Sequence, residues 1–197
     1  MNIRFWLAAA AACCAFSLDA ALVPGEPAPD LVVRDVAGTT VRLSAYRQKK
    51  HIALLVAPPD RLPTADWAGT ERRLAALDTV VLFNDGPAAT LLIDQTGVVR
   101  RVLTGSVLTG TGLTDFVELW QSGKAWFAGY CARCHGADGE DTWCDQKPLT
   151  GVGQRLSPTQ IRETLNMWEV NDQEVIIRGE RIKRPQVDAI IVYVSSL

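Results

Sequence analysis

The chain has few of the residues that most often bind metals or nucleic acids. It contains only two histidines and two methionines in 197 residues, and its 20 basic side chains are outnumbered by 22 acidic ones. A nucleic-acid-binding protein needs a basic surface, which this composition does not favour, and we expect no nucleic-acid partner. The shortage of histidine and methionine limits the possible metal ligands to a few positions.

Cysteine is also scarce, and the number of cysteines is odd. Five cysteines cannot all pair within one disulfide framework. Cys13 and Cys14 lie near the start, Cys131 and Cys134 form a short motif, and Cys144 stands alone. We expect Cys144 to be a small buried apolar residue, with redox chemistry or a link to another chain as alternatives.

The apolar run from Phe5 to Phe16 is shorter than the roughly 20 residues of a transmembrane helix. Because it follows Arg4 and precedes small residues, it predicts a secretory signal peptide over residues 1–21. Acylation of Cys13 or Cys14 and an uncleaved anchor are the alternatives, and only these would hold the protein at a membrane. Each version exports the chain, so we predict a bacterial periplasmic protein.

The centre of the chain contains a cofactor motif, Cys131-Ala132-Arg133-Cys134-His135. C-x-x-C-H is the attachment signal for c-type haem, in which two thiols add to the haem vinyl groups and the histidine binds the iron. A redox dithiol would not need His135, and a zinc site would need a second ligand pair. The motif therefore predicts one covalent haem c on Cys131 and Cys134, with His135 as an iron ligand.

From about residue 113 to the end, the chain resembles class I cytochromes c. Gly123 and Phe127 precede the motif at positions that share one helix face. The resemblance implies that this face packs against Tyr193 of a C-terminal helix. It also implies an all-α fold for residues 113–197.

The segment Pro148-Leu149-Thr150-Gly151 is similar to the P-L-x-G loop of the same family. By this resemblance, the carbonyl group of Pro148 accepts the ring N–H of His135 and orients the ring. Pro148 is therefore expected to belong to the cofactor site.

The sixth iron ligand is the point at which this chain departs from the family. The resemblance places a methionine near Ile176 or Ile177, and neither position holds one. We assign Met167 through an altered loop, with a gap-filling core role as the alternative. An open iron, Lys183 and His51 stay open as alternatives. If Met167 is the ligand, replacing it with alanine should change the oxidised visible spectrum and lower the reduction potential.

Residues 22–112 resemble thioredoxin-like proteins of the peroxiredoxin and thiol–disulfide oxidoreductase kind. The sequence predicts buried strands at 52–57 and 80–83, with a helix at 64–77 between them. It predicts a hairpin at 90–100. Phe83 and Pro87 are too close for the family's next helix and strand, so a shortened α/β unit with a mixed sheet is expected. Because this unit has no cysteine, thiol chemistry is excluded there, and we expect a docking or scaffold module.

Together these features predict a signal peptide at 1–21, a thioredoxin-like domain at 22–112 and a cytochrome c domain at 113–197. The expected function is one-electron transfer to or from a periplasmic partner protein. One alternative is a haem enzyme or sensor whose open distal site binds peroxide, a diatomic gas or a sulfur ligand. Another is a structural haem subunit of a larger dehydrogenase complex. No sequence feature specifies the oligomeric state, the electron donor or the acceptor.

Overall fold

The computed structural model describes residues 22–58, 67–141, 147–165 and 167–197. The predicted signal peptide, with Cys13 and Cys14, lies outside the described residues. Cys144 also lies outside them.

The described residues of the first half form a six-stranded mixed sheet with one α-helix and a short 3-10 helix, Leu43–Tyr46. The elements are β1 (Val32–Asp35), β2 (Thr40–Arg42), β3 (His51–Ala57), α1 (Trp67–Ala76), β4 (Thr79–Asp85), β5 (Ala89–Ile93) and β6 (Val99–Thr104). The strand order is β2-β1-β4-β3-β5-β6. Only β3 and β4 run parallel, and all other neighbouring strands are antiparallel. This arrangement confirms the predicted thioredoxin-like fold with a mixed sheet.

The central strand β3 is buried along its whole length. Its sequence from His51 to Ala57 is continuously apolar after the first residue, which is typical of a strand covered on both faces. Between β4 and β5 the chain has only residues 86–88, so the helix and strand that a full redoxin has there are absent from this part of the chain. The predicted shortening is therefore confirmed.

In the ranges that the structure describes, the second half contains five helices and a small sheet. The elements are α2 (Gly110–Tyr130), α3 (Ala132–His135), α4 (Val152–Arg155), α5 (Pro158–Thr164), β7 (Trp168–Glu169), β8 (Glu174–Ile177), β9 (Glu180–Lys183) and α6 (Arg184–Val194). The strands form an antiparallel sheet in the order β7-β8-β9. The predicted all-α fold for this half is therefore wrong.

The local sequence explains this sheet. Arg178 and Gly179 both have positive φ, at 51° and 89°, which is the backbone of the two-residue hairpin turn that suits twisted strands. On either side, Val175 and Ile182 are opposite each other and both are buried, so one face of the hairpin packs on the core. A segment that the family resemblance treats as a ligand loop is instead a hairpin.

Helices α2 and α6 cross in close contact at Gly123. A Cβ atom at this position would collide with the carbonyl group of Ala189 and lie 2.9 Å from the Cβ of Tyr193. One turn later, the rings of Phe127 and Tyr193 are 5.2 Å apart. The predicted packing of Gly123 and Phe127 against Tyr193 is confirmed.

Helix α2 also packs against the thioredoxin-like unit. The Arg73 guanidinium on α1 lies 2.9 Å from the Glu118 carboxylate, and the Gln121 amide donates to the Leu77 carbonyl at 2.6 Å. The Trp120 ring meets His51, the first residue of β3, edge to face at 5.2 Å. One hydrophobic cluster accordingly contains buried residues of both halves. The predicted boundary between residues 112 and 113 falls within the first turn of α2.

We expect Gly123→Ala to destabilise the protein strongly, because the added methyl group must push α2 and α6 apart. Overpacking of this kind costs about 1–3 kcal/mol, measured as the free energy of unfolding in urea.

Gly129→Ala is the matched control on the same helix, since a Cβ atom at Gly129 meets nothing within 4 Å. It should leave stability unchanged or raise it by up to about 1 kcal/mol, through helix propensity. Equal effects of the two substitutions would contradict the close helix crossing.

Candidate functional site

The C-x-x-C-H motif directly follows the end of α2. The Cys131 amide donates to the Phe127 carbonyl at 2.8 Å, and the amides of Cys134 and His135 both donate to the Cys131 carbonyl at 3.1 Å. The short helix α3 thus continues the turn of α2, and Gly136 ends it with a φ of 71°. This geometry brings the side chains of Cys131, Cys134 and His135 to one side of the turn.

These three residues line a cavity of about 630 Å³, together with Pro148. The volume lies within the range of small-molecule and cofactor sites. Much of its wall is apolar and comes from several elements of the second half, including Phe127, Val152, Ile161, Ile182, Ile190 and Val194. The structure therefore brings the predicted attachment residues together at a cavity with a largely hydrophobic wall.

The imidazole of His135 has an unsatisfied nitrogen at this cavity. Its Nδ1 atom is buried and has no hydrogen-bond partner among the described residues. Burial, with a smaller contribution from the Arg178 charge, holds the pKa of His135 below its ordinary value. The ring is therefore neutral at neutral pH, which is the form that binds a metal.

The thiol of Cys131 is poorly suited to reversible thiol exchange. Burial raises its pKa to about 11, although the Arg178 charge opposes this rise. Reactive cysteines of redox dithiols have lowered pKa values and lie at electropositive, accessible sites. Cys131 thus lacks the lowered pKa that the attacking thiol of a C-x-x-C oxidoreductase requires.

A zinc site finds no support in the part of the chain that the structure describes. No group of three or more histidine, cysteine, aspartate or glutamate side chains is placed there to hold a metal ion. A structural zinc ion has four such ligands.

Pro148 lies on the wall of the cavity that His135 also lines. The predicted hydrogen bond from the His135 ring to the Pro148 carbonyl is not formed, and the His135 Nδ1 atom has no partner among the described residues. The structure thus places Pro148 at the site without the contact expected of it.

None of the candidates for the sixth iron ligand lines the cavity. Met167 is half-buried and packs against the hydrophobic cluster between α5 and β7. Lys183 is exposed at the start of α6, and His51 is buried in the first half beside Trp120. The structure therefore does not bring Met167, Lys183 or His51 to the predicted haem site.

Arg178 lies at the cavity although it is not among the site residues predicted from the sequence. Its guanidinium Nη1 atom lies 3.4 Å from the Cys134 sulfur, and the residue lines the cavity with Ile177 and Glu180. The signal that could have found it is the sequence Arg178-Gly179 between two runs of alternating or β-branched residues, which is typical of a hairpin turn.

The first half lacks the cysteines at which the redoxin family carries out its chemistry. At the end of β3, where the redoxin family has its active cysteines, the chain continues with Pro58. No cysteine occurs in residues 22–112. Thiolate chemistry is therefore absent from this unit, as the sequence predicts.

Comparisons with known proteins do not identify a family. No protein-family model matches the chain, and no curated protein matches it. Among solved structures, the reduced 2-Cys peroxiredoxin of Plasmodium vivax is 12% identical, with a TM-score of 0.38, over 49% of this chain and 95% of that one. Thioredoxin peroxidase I of Plasmodium yoelii is 14% identical, with a TM-score of 0.42, over 53% and 92%. At this level of similarity they imply nothing about activity, and the thioredoxin-like assignment rests on strand order.

No helix in the described ranges is both long and apolar enough to cross a membrane.

The raised pKa of Cys131 has a measurable consequence in protein produced without haem. In a C134S/C144S variant, which leaves Cys131 as the thiol of the second half, iodoacetamide should react slowly at pH 8. The rate should rise with pH up to about 11, as the thiolate forms.

The same variant unfolded in urea is the control, since its thiol should titrate near the ordinary value of about 8.5. Equal alkylation rates in the folded and unfolded states would contradict the burial of Cys131.

Proposed function

We propose that this protein is an exported mono-haem c-type cytochrome whose cytochrome unit follows a thioredoxin-like unit without cysteines. Cys131 and Cys134 attach the haem, and His135 binds its iron. The observation that carries the proposal is the placement of all three motif residues on one cavity with a largely apolar wall.

The donor set and the wall of the cavity fit this cofactor. Two thiols and an imidazole on consecutive turns are the groups that c-type haem uses. The apolar wall suits a flat hydrophobic macrocycle, and Lys147 and Arg155 on the same cavity suit its carboxylates. When bound, haem supplies reversible one-electron transfer. The chain's own residues hold it in place and limit the access of water.

The most direct use of such a site is electron transfer with a periplasmic redox protein. The thioredoxin-like unit then serves as a docking or scaffold module, because it has no thiol with which to do chemistry. Redox partners bind weakly through small interfaces, so a separate recognition surface would add specificity. The periplasmic location follows from the signal-like segment at residues 1–21.

A second candidate function is a haem enzyme or sensor with an open coordination position. The observation that favours it is that Met167, Lys183 and His51 do not line the cavity. An iron without a strong sixth ligand from the protein can bind an exogenous molecule. The two candidate functions therefore differ in whether the sixth coordination position of the iron is filled by the protein. Visible spectroscopy measures this directly.

The attachment of haem is tested with the full chain expressed in a bacterial host that attaches c-type haem. We expect one haem per chain that resists acid–acetone extraction, measured by the pyridine haemochrome spectrum. The double variant C131A/C134A should carry no covalent haem, because no thiol of the motif remains.

Cys144→Ser is the control, because it removes a thiol outside the motif and should retain one haem per chain. Haem that is fully extractable from the wild-type chain would rule out the proposal.

The sixth ligand is tested by Met167→Leu, which keeps the apolar volume that packs on the core. Because Met167 does not line the cavity, we expect an unchanged oxidised visible spectrum and an unchanged reduction potential. Prompt binding of carbon monoxide by the reduced wild-type protein would favour the open site. A changed oxidised spectrum in Met167→Leu would instead restore Met167 as the ligand.

A further inference from the structure

The tip of the β8–β9 hairpin places a cationic side chain on the wall of the cavity. Arg178 is the first residue of the two-residue turn, and its φ of 51° is an uncommon conformation for a residue other than glycine. Its guanidinium reaches the Cys134 sulfur at 3.4 Å. The turn thus holds an exposed arginine against the motif that attaches haem.

Arg178 differs from the other arginines of this segment in its electrostatic partners. Arg181 lies 3.3 Å from the Glu174 carboxylate, and Arg184 lies 3.0 Å from that of Glu169. Among the described residues, no carboxylate forms an ion pair with Arg178, although Glu180 lines the same cavity. Within the described ranges, its charge is therefore not paired with a carboxylate at the cavity.

The hairpin also supplies no strong ligand for iron at the cavity. The side chains that it contributes there are Ile177, Arg178, Glu180 and Ile182. None of them is a methionine, histidine or lysine. The side of the cavity formed by the hairpin therefore combines apolar groups with one carboxylate and one guanidinium. The guanidinium stays protonated in proteins and donates hydrogen bonds in a fixed planar array.

We propose that Arg178 binds a small inorganic monoanion in the cavity and so favours anionic over neutral ligands of the haem iron. The inference rests on the second candidate function, because it requires a bound haem with an open coordination position. A guanidinium forms short, charge-assisted hydrogen bonds to anions, and such bonds are stronger than neutral ones. A neutral diatomic ligand gains little from the same charge.

The test uses azide as the anion and carbon monoxide as the neutral ligand. The covalent holoprotein is titrated with azide in the oxidised state and with carbon monoxide in the reduced state, by visible absorption. We expect azide to shift the wild-type spectrum. In Arg178→Gln, its dissociation constant should rise by about tenfold or more, the loss typical of a hydrogen bond to a charged group.

Arg178→Lys keeps the charge and should retain much of the azide affinity. Arg181→Gln is the matched control, since Arg181 is on the same hairpin but does not line the cavity. It should bind azide as the wild type does. Carbon monoxide affinity should be the same in the wild type and Arg178→Gln, and azide affinity should fall as chloride is added.

Several results would overturn the proposal. One is the absence of any azide-induced spectral change. Another is equal azide affinity in the wild type and Arg178→Gln. A third is a loss of carbon monoxide affinity in Arg178→Gln as large as its loss of azide affinity. The haem content of each variant, measured first, separates these results from a failure of haem attachment. If Arg178→Gln does not fold, the Arg178→Lys variant and the chloride dependence of wild-type azide binding decide the matter.

Discussion

The close approach of α2 and α6 at Gly123 is the constraint on which the rest of the second half depends. Because no side chain separates the helices there, Phe127 is held against Tyr193 and the end of α2 is fixed in the core. Cys131, Cys134 and His135 follow within five residues of that end. A small change of the helix crossing would therefore move the whole motif relative to the cavity wall, to which α6 contributes Ile190 and Val194.

Much of the first unit could be predicted from the sequence, because its signals are local and strong. The apolar run of β3, the second strand at β4 and the hairpin of β5 and β6 are each recognisable from a few adjacent residues. The contact between Gly123 and Tyr193 links residues far apart in the chain. It could be predicted only because the motif and its flanking residues resemble a known family.

The β8–β9 hairpin and the role of Arg178 could not be obtained in the same way. The resemblance implied a ligand loop in this region, and the short alternation around Val175 and Ile182 was too weak to oppose that reading. Whether Met167 reaches the cavity depends on the path of the chain between α5 and β7, which no local pattern specifies. The hydrogen-bond partner of His135 depends likewise on atomic distances across a loop, which residue spacing does not determine.

The continuity of α2 through both units has a mechanical consequence. Two modules joined by a flexible tether sample many separations, and the encounter between their sites depends on linker length. Here Trp120 packs on β3 in one unit while Phe127, two turns along the same helix, packs beside the motif in the other. A partner docked on the thioredoxin-like surface would thus sit at one set separation from Cys131 and His135. Electron tunnelling rates fall steeply with distance. The rigid helix would therefore fix the electron-transfer rate through the geometry of the docked complex.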